Sequence, residues 1–273
     1  MLHICVCSSK RHYSIIKKTL TTLRKAGINT SPETDIVVNI VVPYEEIANY
    51  DEVLLSSPVS YRVIGSEKGL VKQRQTMRSL TPEGEKILFI DDDIDAIKMK
   101  AGDKLYPLKN ILELADYAFS NLGDSLLWSV YPITNYLFMK HQISVGNCYC
   151  VGAFYGIIND PRLKEPEIDE CEDFARQLAE QAAGRPPIRV DFVGLQTRYY
   201  KNSGGLQQAR DMNVRVSIIN TLEDSYPTIV KQFLKKGIPD LKFLQRSVKQ
   251  PVPVQIDWIT SQSTPAIPPS ESS

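Results

Sequence analysis

Lys86-Ile87-Leu88-Phe89-Ile90-Asp91-Asp92-Asp93-Ile94 is the stretch on which the reading of this chain turns. An apolar run, Ile87 to Ile90, suits a strand buried on both faces, and it leads straight into three carboxylates. Adjacent carboxylates repel one another, and setting them at the end of a buried strand carries an electrostatic cost. A hard divalent cation with oxygen ligands offsets that cost and can bridge the phosphates of a bound nucleotide. Strand alternation sends Asp91 and Asp93 to one side and Asp92 to the other. A solvated acidic turn or a helix N-cap, which Asp favours, is the plainer alternative.

Upstream, strand and helix signals alternate. Leu2–Cys7 is a short apolar strand, and Tyr13–Ala26 has helical spacing that Gly27 ends. Asp35–Val42 is β-branched and continuous, Tyr61–Ile64 is a third strand, and Gly69–Leu80 is a helix closed by Thr81-Pro82-Glu83-Gly84. Strands alternating with helices predict right-handed βαβ units, an α/β fold with a mostly parallel sheet, and ligands beyond the carboxyl ends of the strands. Three such ends carry polar clusters: Ser8-Ser9-Lys10-Arg11 after Cys7, Pro43-Tyr44-Glu45, and Asp91–Asp93.

Downstream the pattern is less regular. Leu108–Asn121 reads as a helix and Ser125–Tyr131 as a strand. Ile143–Ile158 reads as a hairpin bent at Gly146 and Gly152. Glu165–Ala183 begins acidic and becomes an amphipathic helix, Arg189–Val193 is a strand, and Thr228–Lys236 is a basic helix. Residues 1–250 are expected to form one domain, with a donor half over about 1–100 and an acceptor half over about 101–250. Residues 251–273 form a Pro/Ser-rich, flexible tail.

Composition sets outer bounds. The chain has 273 residues, 42% of them apolar, enough for a sizeable core, and 32 basic residues balance 32 acidic ones. Global attraction to nucleic acid or membrane is not indicated, though local patches are. Residues 1–30 hold Lys10, Arg11, Lys17, Lys18, Arg24 and Lys25 with no acid, and residues 198–250 hold ten basic residues against four acidic. Lys231, Lys235, Lys236, Lys242, Arg246 and Lys249 would form a phosphate-contacting face or, equally, a solvated one. No run approaches the length of a membrane span and no signal peptide is seen, so a cytoplasmic protein is expected. Cys5/Cys7 and Cys148/Cys150 have strand-like spacing, in which paired thiols share a face; with Cys171 they read as buried free thiols rather than a zinc site.

Three further segments carry chemistry. Gly69-Leu-Val-Lys72-Gln-Arg74, with Arg78, is a glycine followed by a helix start with cations, able to receive phosphate or sugar hydroxyls, or merely a solvated basic face. Glu170-Cys-Glu172-Asp173 begins a helix, where acids favour the first turn. Arg198-Tyr-Tyr-Lys201-Asn202-Ser-Gly204-Gly205 combines cations and glycines that can fold over a pyrophosphate.

Phe-Ile-Asp-Asp-Asp-Ile resembles the DxD motif of GT-A glycosyltransferases. The resemblance implies that Asp91 and Asp93 touch the donor ribose and a divalent metal, Mn2+ or Mg2+, with Asp93 the metal ligand. It implies donor contacts from Cys7, Ser8, Ser9, Arg11, Tyr44, Lys72, Arg74, Asp91, Asp92, Arg198 and Lys201. It implies a base, Asp173 with Glu172 as rival, if the enzyme inverts configuration. The family's late metal-binding histidine is missing: the histidines are His3, His12 and His141. Asn202 or water is then expected in its place.

Cys-Ser-Ser-Lys-Arg, Gly-Leu-Val-Lys-Gln-Arg, the DxD strand and Tyr-Lys-Asn-Ser-Gly-Gly-Leu-Gln together resemble the phage TET-associated glycosyltransferases, which are related to base J glucosyltransferase. This implies transfer from a UDP-sugar to 5-hydroxymethylcytosine in DNA, with Tyr149, Tyr155 or Trp128 stacking on a flipped base. Alternatives are a transferase for a saccharide or other small hydroxyl acceptor, a nucleotidyltransferase, which would want a glycine in Ser8–Arg11, and a non-catalytic binding module.

Overall fold

The computed structural model describes residues 1–29, 36–197, 212–235 and 237–252. The N-terminal half runs β1 (Leu2–Cys7), α1 (His12–Ile15), a π-helical turn (Ile16–Leu20), α2 (Thr21–Lys25), β2 (Val38–Pro43), α3 (Ile47–Leu54), β3 (Tyr61–Ser66), α4 (Leu70–Leu80) and β4 (Lys86–Asp91). Then come β5 (Ala96–Ala101), β6 (Lys104–Pro107), α5 (Ile111–Ser120), β7 (Leu127–Tyr131), β8 (Gln142–Val145), β9 (Phe154–Ile158), α6 (Glu172–Ala182) and β10 (Ile188–Gln196). The C-terminal part adds α7 (Met212–Ser225), β11 (Val230–Lys235), β12 (Ile238–Phe243) and β13 (Val248–Pro251).

The expected α/β architecture is present. The main sheet has the order β13-β8-β10-β7-β9-β4-β1-β2-β3, with β5 and β6 branching from β10. The βαβ half, β3-β2-β1-β4, is parallel, as is β10 with β7. Antiparallel ladders join the two parts through β9, which lies between β4 and β7.

β4 sits centrally, and its apolar run serves both faces. Leu88 and Ile90 join Ile4, Val6 and Ile40 in one core, while Ile87 and Phe89 join Cys5, Cys7, Met77 and Tyr155 in another. Each such side chain, buried from water, contributes about 1.5–3 kcal/mol. Cys5 and Cys7 do share a face, and all five cysteines are free and buried.

Two expectations fail. Ile143–Ile158 is not a hairpin: β8 pairs with β10 and β13, whereas β9 pairs with β4 and β7. Its glycines allow the chain to leave one ladder for another rather than fold back. Thr228–Lys236 is not a helix either. β11 and β12 form an antiparallel hairpin, with Lys235 opposite Ile238 and Gly237 at φ 81. That left-handed conformation suits glycine and closes a tight turn. The hairpin and α7 pack on α6 through Cys171, Phe174, Leu178, Ile219, Leu222, Val230 and Leu241. Among the described residues no helix is long and apolar enough to cross a membrane.

Candidate active site

The three polar clusters meet where β1, β2 and β4 end. Cys7 is opposite Asp91 in the parallel register, so Ser8 and Arg11 follow directly beside the aspartates. The helical run after β1 braces them. Its π turn, a local irregularity of a kind frequent at functional sites, carries Thr19. The Thr19 hydroxyl donates to the Asp91 carbonyl at 2.7 Å and accepts from the Ile94 amide at 3.0 Å. Thr22 donates to the carbonyls of Ile94 and Asp95, both at 3.1 Å. Thr19 and Thr22 were not legible as site residues, because a threonine in a helix carries no mark of a partner over 70 residues away.

Strand alternation does not govern the three carboxylates, because β4 ends at Asp91 and Asp92 and Asp93 lie in the turn after it. Asp92 turns inward, where Ser8 Oγ donates to it at 2.5 Å and Arg11 Nη1 at 2.6 Å. Ser8 Oγ also bonds Tyr50 Oη at 2.6 Å. Asp91 and Asp93 face outward and line one cleft of about 350 Å³. Asp93 holds Arg11 Nη1 at 3.0 Å, and Thr197 Oγ1 donates to it at 3.1 Å. The Asp91 carboxylate makes no hydrogen bond among the described residues. Burial, then the charge of Asp93, pushes its pKa well above the usual carboxylate range.

The opposite wall of the cleft is the N-terminus of α6, with Asp169, Glu170, Glu172, Asp173 and Tyr149. Glu172 and Asp173 differ in their commitments. Glu172 Oε1 accepts from Arg74 Nη1 at 2.7 Å, inside the protein. Asp173 Oδ1 accepts from the Phe174 amide at 2.8 Å, and its Oδ2 accepts from the Tyr149 hydroxyl and the Gly152 amide. Burial and the neighbouring Glu172 push the Asp173 pKa up to about 6, against the pull of the Tyr149 hydrogen bond. A carboxylate with that pKa changes charge just below neutrality, where a general base is effective.

Several expected donor contacts prove to be taken up by the protein itself. Arg74 is 2% exposed: beyond Glu172 it bonds the Gly152 carbonyl at 3.0 Å and lies 5.1 Å from the Tyr155 ring. It therefore braces the α6 N-terminus from behind. The Arg78 guanidinium bonds Asn159 Oδ1 and the carbonyls of Asp160 and Leu163. The N-terminus of α4 does not wait open for phosphate, since Asp169 Oδ1 accepts from the Val71 amide at 2.8 Å. The Cys7 thiol lies in the core, and Ser8 and Asp92 bind each other. Trp128 and Tyr155 are 0% and 1% exposed, so neither can stack on a flipped base.

Ser9 donates to Glu46 Oε1 at 2.6 Å, as the Lys10 amide does to Oε2, which fixes the loop after β1. Tyr44 is exposed beside Gly65, and Lys72 is exposed with its amine 3.8 Å from Glu67. These two keep the freedom to meet a ligand. Arg198, Lys201 and Asn202 lie outside the described residues. Lys249 turns to Ser144 Oγ at 2.6 Å, whereas Lys231 and Lys242 face each other, exposed, across the β11–β12 ladder.

A divalent cation is compatible with the outward wall. Asp91 and Asp93 supply hard oxygen atoms, and Asp91 is an otherwise unbonded, desolvated carboxylate. No group of three or more His, Cys, Asp or Glu able to hold a metal occurs among the described residues. Two carboxylates suit a cation that takes its remaining ligands from phosphates and water.

No family model and no curated protein sequence matches the chain. The fold does have counterparts among solved structures. Glucosyl-3-phosphoglycerate synthase from Mycobacterium tuberculosis, in complex with phosphoglyceric acid, superposes with a TM-score of 0.51 at 10% identity, over 92% of this chain and 89% of that one. The same enzyme in complex with Mn2+, UDP-glucose and phosphoglyceric acid gives 0.50 at 11% identity, over 92% and 89%. TarS (1–349) of S. aureus gives 0.47 at 11% identity, over 91% and 98%.

Proposed function

We propose that this chain is a metal-dependent glycosyltransferase that moves a sugar from a UDP-sugar to an acceptor hydroxyl. One observation carries the reading: a single cleft has Asp91 and Asp93 on one wall and Asp173 on the other. The likeness of fold to an enzyme solved with Mn2+ and UDP-glucose is consistent with this reading. A bound divalent cation would neutralise charge on the departing diphosphate.

The chain's own residues supply the rest. Asp91 and Asp93 orient the diphosphate end of the donor, and Arg11 fixes the Asp93 carboxylate. Asp173, deprotonated above about pH 6, takes the acceptor hydroxyl proton as its oxygen attacks the anomeric carbon. Glu172 is the weaker candidate because Arg74 already holds it. Tyr44 and Lys72 remain at the donor edge.

For the acceptor, 5-hydroxymethylcytosine in DNA follows from the sequence resemblance and gains support from exposed Lys231, Lys235 and Lys242 on the β11–β12 hairpin, Lys235 lining the cleft itself. A saccharide or small hydroxyl acceptor is the second reading. The excess of carboxylates in the lining favours it, Asp91, Asp93, Asp169, Glu170, Glu172, Asp173 and Asp240 against Arg215 and Lys235. The test is to incubate the protein with UDP-glucose or UDP-N-acetylglucosamine, Mn2+ or Mg2+, and in separate reactions DNA with 5-hydroxymethylcytosine, DNA without it, or a set of saccharides, then weigh the digested nucleosides and the saccharides. A hexose increment on the modified base supports DNA. Transfer only to saccharides supports the second reading, and no transfer from any donor refutes both.

A further inference from the structure

The loop between β8 and β9 carries Tyr149 into the cleft beside the α6 N-terminus. Its hydroxyl donates to Asp173 Oδ2, its ring lies 5.0 Å from that of Phe174, and its carbonyl accepts from Arg189 Nη1 at 3.1 Å. On its C-terminal side the Cys150 amide donates to Gln177 Oε1 at 2.9 Å. Tyr149 is thus held by Arg189 of β10 through its carbonyl, by Asp173 and Phe174 of α6 through its phenol, and by Gln177 of α6 through the next amide. Asp173 has three donors, two of them backbone amides, and Tyr149 is the one that sequence can change.

Resting on the glycosyltransferase reading, we propose that Tyr149 is a positioning residue for the reaction: its hydroxyl aims the Asp173 carboxylate and keeps it ionised for proton abstraction. With one oxygen lobe engaged by Tyr149 and Gly152 and the other by the Phe174 amide, the carboxylate cannot rotate away from the cleft. Its remaining lone pairs are directed at the incoming hydroxyl. A phenol donor favours the carboxylate over the carboxylic acid.

The charged groups around Asp173 are Glu172, which Arg74 of α4 neutralises, and Arg176, both on α6. Asp169, Glu170, Arg215, Lys235 and Asp240 line the rest of the cleft. Among the described residues none of these hydrogen-bonds Asp173, so loss of the Tyr149 hydroxyl is not made good by a neighbour.

The experiment is the pH profile of turnover at saturating donor for wild type, Tyr149→Phe and Asp173→Asn. Tyr149→Phe should move the acid limb up by about one unit, lowering kcat about fivefold at pH 6, while near pH 8 it recovers and the donor KM stays unchanged. Installing 3,5-difluorotyrosine at position 149, a stronger donor of the same shape, should move the limb down, and it tests the claim even if Tyr149→Phe folds poorly. An unmoved limb in both variants, with Asp173→Asn inactive, overturns the role of Tyr149 alone. Full activity of Asp173→Asn overturns the assignment of the base on which it rests.

Discussion

Replacing Arg74 by methionine separates a structural arginine from a ligand-binding one. Arg74 Nη1 lies 2.7 Å from Glu172 Oε1, with side-chain exposures of 2% and 11%, so loss of either partner leaves the other charge largely buried. Arg74 also bonds the Gly152 carbonyl at 3.0 Å and stands over the Tyr155 ring. Breaking a buried pair by removing one partner costs about 3–5 kcal/mol, most of it the stranded charge. For a domain of this size each kcal/mol lowers Tm by about 2–4 °C, so Arg74→Met should lower it by roughly 10 °C. The double variant Arg74→Met/Glu172→Leu leaves no stranded charge and should regain most of that loss. The assay is thermal and urea denaturation across the four-member cycle at pH 7. If Arg74→Met costs under about 1 kcal/mol and the two changes simply add, Arg74 is not buried against Glu172, and its reading as a donor contact revives.

The remaining predictions concern the base, the core and the metal wall. With the Asp173 pKa raised to about 6, the active form is the deprotonated one, so kcat should fall about tenfold from its plateau by pH 5 and be flat above pH 7 in a stopped UDP-release assay. Gly156→Ala would set a Cβ 2.0 Å from Trp128 Nε1, and that indole is 0% exposed and packed on Phe119 and Phe154. It should destabilise by about 3 kcal/mol, read as a lower urea midpoint at unchanged slope. Chelation of divalent cations should abolish transfer, and Asp91→Asn should raise the Mn2+ concentration needed for half-maximal activity, measured by metal titration after dialysis.

The central strand and its aspartates were legible because continuous apolar runs and glycine or proline breaks report burial and turns directly. The strand period did not extend to Asp92 and Asp93, which lie in the turn after β4 and share Arg11. Partners distant in sequence left no such mark. Arg74 and Glu172 are 98 positions apart, and an arginine on a helix looks the same whether it meets solvent or a buried carboxylate. The lysines at 231 and 235 have helical spacing, yet the chain there forms a strand, because the segment after Gly237 offers a ladder. Gly237 beside Lys236 was the available hairpin signal. The acidic residues of the α6 N-terminus were legible as a helix start, but the pairing of Glu172 with Arg74 and of Asp173 with Tyr149 depends on α4 and the β8–β9 loop.

The central claim is that Asp91 and Asp93 bind a metal-bound donor while Asp173 acts across the cleft. Its most direct test is to measure UDP affinity with Mn2+ alongside single-turnover sugar transfer for wild type, Asp93→Asn and Asp173→Asn. The predicted result is that Asp93→Asn loses Mn2+-dependent UDP affinity, whereas Asp173→Asn keeps it and loses transfer by about 10²-fold or more. Unchanged UDP affinity in Asp93→Asn, or unchanged transfer in Asp173→Asn, would contradict the account.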